Sequence, residues 1–138
     1  MSDFKKSFLA GLDSAKKANK NINEIKEVID SMSNQLSDLT NNKATLGIAT
    51  FYEDATNPLV RFTANAKKYK GLAIFDGEGK GGVEIAEWTQ HESGYPCTIS
   101  SESGRYYCSN KEELEDAITD LFSQTRTGKI ILSKIESN

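Results

Sequence analysis

The amino-acid sequence predicts an α+β protein, with a long N-terminal amphipathic helix of coiled-coil type followed by a small antiparallel β-meander covered by a C-terminal helix. Three observations carry this reading: an apolar heptad through the first forty residues, short β-type runs separated by turn residues after it, and a capped amphipathic segment near the end.

The heptad is the clearest of the three. Phe8, Ala15, Ile22, Ile29 and Leu36 recur every seven residues, and Gly11, Ala18, Ile25, Met32 and Leu39 do so three places later, the a and d positions of a coiled coil. The flanks are mostly polar, with Leu12 and Val28 as exceptions. So narrow a stripe suits a coiled-coil seam better than packing on a broad sheet. A helix of about 38 residues reaches roughly 57 Å at 1.5 Å per residue, against some 30–35 Å for a globule of the remaining length, so much of it overhangs its own domain. Either the helix breaks at Asn19-Lys20-Asn21, its weakest stretch, and folds back as a hairpin, or another chain covers the overhang. The second reading makes Phe8, Ala15, Ala18, Ile22, Ile25, Ile29, Met32, Leu36 and Leu39 an oligomer interface. Isoleucine at both a and d near Ile22 and Ile25 favours more than two chains, while Gly11, Ala15 and Ala18 permit a close pair.

Thr40-Asn41-Asn42-Lys43 ends the helix, dividing an oligomerising segment, 1–40, from a domain at 44–138. Strands are expected near 45–52, 59–64, 71–76, 82–89, 95–100 and 105–108, and the short connections favour an antiparallel meander. In 110–124, Asn110 and Glu113 form a capping-box pattern ahead of an apolar face of Leu114, Ala117, Ile118, Leu121 and Phe122. Gly128 to Ile135 fits a buried strand or a last helix equally well.

Composition narrows the function classes. With 138 residues the chain is one ordinary domain with a real core. A formal net charge of −3 gives the chain as a whole no long-range attraction for nucleic acid or an anionic membrane. The first forty residues hold 6 Lys and 6 acids, leaving 11 basic residues against 14 acids in the domain. The polar-interrupted N-terminus and the lack of a long apolar run point to a cytoplasmic protein, in which Cys97 and Cys108 are reduced thiols.

Residues with chemical potential are few. The glycine-rich Asp76 to Gly82 lacks the order of a phosphate loop and is followed by strand-like Val83-Glu84-Ile85, so a plain hairpin loop is expected; Lys80 stands where a calcium loop needs an oxygen ligand. His91, the one histidine, makes with the two cysteines three candidate ligands and no CxxC, short of a zinc site, and we expect an exposed loop histidine and two core thiols. A hairpin register centred between Glu102 and Ser103 sets Cys97 opposite Cys108, whereas a bulge at Gly104 separates them. Arg61, Lys67, Lys68 and Lys70, interleaved with Phe62 and Tyr69, form the only basic cluster, with Arg105 on a later strand as a further contributor; the reading as an anion site competes with a solvated turn whose aromatics face the core. Glu84, Glu87, Glu112, Glu113 and Asp116 read as solvated faces.

These readings lead to a non-enzymatic, homo-oligomeric accessory or binding protein, with no catalytic residues, cofactor or metal, that engages a protein partner through its β domain. The alternatives are an oligomeric binder of a small anionic, nucleotide-like ligand using Arg61, Lys67, Lys68, Lys70 and Arg105, and a purely structural assembly component.

Overall fold

The computed structural model describes residues 3–53 and 67–137, and the expected strand at 59–64 lies outside them. Helix α1 (Phe4–Leu39) is continuous through Asn19-Lys20-Asn21. It is capped at its start by Asp3, whose carboxylate accepts from the Lys6 backbone N–H (3.1 Å). At its end Asn41 and Asn42 take the left-handed conformation that asparagine tolerates best among residues with a Cβ (φ 54° and 64°), and Asn42 N–H returns to the Ser37 carbonyl (2.8 Å).

Among the described residues five strands follow: β1 (Ala44–Tyr52), β2 (Lys68–Asp76), β3 (Val83–His91), β4 (Gly94–Ser101) and β5 (Gly104–Cys108). They form one sheet in sequence order with every neighbouring pair antiparallel, the expected meander. Two helices close the chain, α2 (Lys111–Phe122) and α3 (Thr125–Glu136). The second resolves Gly128–Ile135 as helix: Thr127 is buried, and Ile130 and Ile131 lie against the core. In α2, Asn110 accepts from Glu113 N–H (2.9 Å), and the Glu113 carboxylate accepts from Ser109 N–H (2.7 Å).

Pleat and pairing divide the sheet into two faces. The inner face, which carries Ala44, Leu46, Leu72, Ile74, Trp88, Cys97, Ile99 and Cys108, packs with Leu114, Ala117, Ile118 and Leu121 of α2 and with Ile25, Val28, Ile29 and Leu36 of α1. Three residues expected to seal an oligomer seam, Ile25, Ile29 and Leu36, are therefore core residues of their own chain. Val28, a flank exception in the heptad, completes the buried face, so a narrow stripe does pack on a sheet here once one flank residue widens it. A domain limit at residue 40 cuts through this core. A bulge leaves Ile85 unpaired between Leu72↔Ala86 and Ala73↔Glu84, turning both Ile85 and Ala86 inward.

α1 is held to the sheet at both ends of their contact. Near β1, Ser33 Oγ accepts from Leu46 N–H (3.0 Å) and Thr40 Oγ1 from Ala44 N–H (3.1 Å), satisfying outward-facing donors of an edge strand. At the β3–β4 turn, Asn21 Nδ2 donates to the Ser93 carbonyl (3.1 Å) and Tyr95 OH donates to Glu24 Oε1 (2.8 Å). Gly94 sits directly beneath the helix at φ 95°, where a Cβ would come within 2.6 Å of Asn21 Cβ and 3.1 Å of its backbone carbon. Gly94→Ala meets both a disfavoured backbone conformation and a helix that has to lift. We expect a loss of about 2 kcal/mol or more in urea unfolding, with the Asn21–Ser93 contact broken; a variant as stable as the parent would contradict this account of the contact.

Candidate interaction surfaces

Beyond Asn21 the helix has left its domain. Every residue from Asp3 to Lys17 is exposed, and Ala18 is the first to be partly covered. At 1.5 Å per residue this arm projects by roughly 20–25 Å. It carries Phe4 (77% exposed), Phe8 (54%), Leu9 (50%) and Leu12 (43%), with the two phenylalanine rings stacked at 6.2 Å. Phe4, Phe8, Leu12, Ala15 and Ile22 share one helical face. Residues 1–20 hold five lysines against two aspartates, a charge of +3, leaving −6 on the rest of the chain. The overhang expected from helix length is present, and the structure divides the heptad residues between two environments. Ile25, Ile29 and Leu36 are buried within the chain and Met32 packs against the same core, while Phe8 and Ala15 lie on the arm, Ala18 and Ile22 at its base, and Leu39 is exposed at the far end. Phe4, a d position one heptad ahead of Gly11, belongs to the same series and is exposed on the arm.

The arm's apolar face runs into a groove beside the sheet. One part, about 270 Å³, is lined by Ile22, Ile25, Ile29, Leu46, Ile48 and Gln90, with Lys26 and Asp30 on its rim. A second part, about 570 Å³, shares Ile48 and Gln90 and is bounded by Lys68, Lys70 and Trp88. The groove exists because α1 crosses the sheet diagonally, from Leu46 near the start of β1 to Gly94 on the far hairpin, leaving the Ile48, Thr50 and Tyr52 corner of the inner face uncovered. Ile48 was legible only as one apolar residue in a half-buried strand.

The basic residues do not converge. Arg61 lies outside the described residues. Lys68 and Lys70 belong to β2, rather than to a turn, because Tyr52↔Lys68 and Thr50↔Lys70 extend the β1 pairing. Both are on the inner face: Lys68 Nζ lies 5.9 Å from the Tyr52 ring centroid and Lys70 Nζ donates to Thr50 Oγ1 (2.7 Å). Lys67 is exposed just before the strand. Arg105 is on the outer face three strands away, where its Nε donates to Ser100 Oγ (3.1 Å). Tyr69 also faces outward, away from the core, stacked on Phe51 at 5.9 Å and donating to Glu84 Oε1 (3.0 Å). Burial and the Glu84 carboxylate push its phenol above the ordinary tyrosine range.

The remaining candidates are engaged locally. The Asp76 carboxylate accepts from the N–H groups of Glu78 and Lys80 (2.9 Å each), with Gly79 and Gly81 at positive φ, so the loop's donors turn inward on its own carboxylate, which those bonds hold below the usual range. His91 Nδ1 lies 2.7 Å from Ser93 Oγ and accepts from Ser93 N–H, tying the β3–β4 turn. Cys97 and Cys108 are direct cross-strand partners in a register centred between Glu102 and Ser103, both buried as free thiols. Among the described residues no group of three or more histidine, cysteine or acidic side chains is arranged to hold a metal ion.

Burial pushes the Cys97 thiol up to about 12, with Cys108 adding to the effect; burial and the charge of Glu113 raise Cys108. With burial disfavouring the charged form, little of either thiol is the reactive thiolate at neutral pH. Iodoacetamide should therefore leave both thiols unmodified in the native chain near pH 7.5 and modify both in urea; rapid native labelling of either would contradict their burial as inert core residues. Comparison with protein-family models, with curated protein sequences and with solved structures finds no match to this chain.

Proposed function

We propose that the protein is a non-enzymatic binding protein that works as a homo-oligomer in the cytoplasm, its copies joined through the α1 arm and its β domain presenting the Lys68, Lys70 and Trp88 part of the groove to a protein partner. The observation that carries this reading is the exposed face of Phe4, Phe8 and Leu12, continuous with Ile22, on a helix that projects beyond its own fold. Covering such side chains is worth about 1.5–3 kcal/mol each, comparable in sum to the net stability of a small domain. A helix of this length is also marginal in water without a neighbour. The chemistry of the reactive side chains supports the non-enzymatic part: the sole histidine is tied to a turn and the thiols are shielded.

A second reading is favoured by Lys68 over Tyr52 beside Lys70, which together offer a small anion a charged rim above an apolar floor. Arg105 has no part in it, being on the opposite face.

Light scattering on the intact chain is expected to give a multiple of 15.2 kDa. Phe8→Asp combined with Leu12→Asp should yield a folded monomer whose melting point, unlike the parent's, does not change with protein concentration, since both positions are solvent-exposed within the chain, whereas Ile25→Asp should unfold it by burying an unpaired carboxylate. A monomer at tens of micromolar for the parent chain would overturn the proposal.

A further inference from the structure

We infer that the α1 arm pairs antiparallel with the arm of a second copy, seating the partner's Phe4 in the groove at Ile22. This rests on the oligomeric reading above and adds to it a copy number, an orientation and a binding pocket.

Side-chain volume is the first argument. Along the arm's face the large residues, Phe4 and Phe8, come first, and the small ones, Gly11, Ala15 and Ala18, follow before Ile22. In a parallel pair each layer meets itself, so phenylalanine crowds phenylalanine at one end while three successive layers of glycine and alanine leave voids at the other. Interiors at native density tolerate neither. An antiparallel pair centred on Asp13 sets Phe4 opposite Ile22, Phe8 opposite Ala18 and Gly11 opposite Ala15, so that every layer joins a large residue to a complementary one or lets the backbones approach. It also brings Leu12 near its own copy on one flank of the seam, where a parallel pair would set it against Ser7 or Ser14.

The pocket is the second argument. The antiparallel register ends where the groove begins: Ile22 both closes the arm's face and lines the 270 Å³ space with Ile25, Ile29, Leu46 and Ile48. Phe4 is the most exposed of the arm's large apolar residues (77%), and the antiparallel pair delivers it there. A parallel pair leaves both the pocket and Leu12 open. Charge acts in the same direction with less weight. The domain portions, at −6 each, stand at opposite ends of an antiparallel pair and at the same end of a parallel one, although at physiological salt separations beyond about 8 Å are largely screened. The pocket also limits the copy number to two, because Ile25, whose place in the heptad favoured a higher count, is already committed to the core.

A spin label at Asp3→Cys separates the orientations, because the buried native thiols remain unlabelled. Residue 3 stands opposite residue 23 in the antiparallel pair, so two labels should lie about 30 Å apart; parallel arms place them roughly 10–15 Å apart. Light scattering under the same conditions should give a dimer, and Phe4→Ala should raise its dissociation constant at least tenfold while the chain remains folded. A short distance within a dimer, or a mass above two copies, overturns this inference and leaves the oligomeric reading standing. A monomeric mass overturns both. A Phe4→Ala chain that dimerises like the parent removes the pocket from the account.

Discussion

The structure depends on one constraint, the packing of half a helix on one face of a five-stranded sheet. Ile25, Val28, Ile29 and Leu36 provide the apolar contact, and polar bonds set its angle: Ser33 and Thr40 meet the β1 edge, while Asn21 and Glu24 reach the β3–β4 hairpin. Once both ends are fixed, the helix has to cross the sheet diagonally. The same crossing leaves the Ile48 corner open, aims residues 3–17 into solvent, and joins the exposed face of the arm to the mouth of the groove.

Sequence and structure agree where a pattern has a single physical meaning. Asn110 with Glu113 stands at a helix start because their side chains exchange bonds with backbone donors that nothing else satisfies. For Cys97 and Cys108 the sequence allowed two registers, and the turn between Ser101 and Gly104 takes the one without a bulge, so the thiols face each other. The Asp76 to Gly82 stretch is a hairpin loop because its carboxylate uses the donors that a phosphate would need.

The rest was illegible where one pattern serves two environments. A heptad of apolar residues is the same text whether the partner is another helix or the chain's own sheet; only Val28, broadening the stripe in the second half, hinted that Ile25, Ile29 and Leu36 belong to the core. Ile130-Ile131-Leu132 suited strand and helix alike, and its packing against the sheet decides for helix. Lys68-Tyr69-Lys70 reads as a turn from propensity, but pairing with β1 and β3 overrides that preference and sends its side chains to opposite faces. Among the described residues the pleat keeps Lys68 and Lys70 together on the inner face but sends Tyr69 to the outer one, and Arg105 lies on that outer face three strands away.

The central claim is that the arm is ordered by another copy of the chain rather than by its own domain. Amide hydrogen exchange followed as a function of protein concentration tests this most directly, because residues 4–17 have no tertiary cover of their own and an uncovered helix of that length exchanges readily. The account predicts that protection of these amides rises with concentration and falls on dilution, while that of Leu72 and Ile74 in the core stays constant. Protection of the arm that does not change with concentration, or an arm that exchanges freely even in concentrated solution, would contradict it.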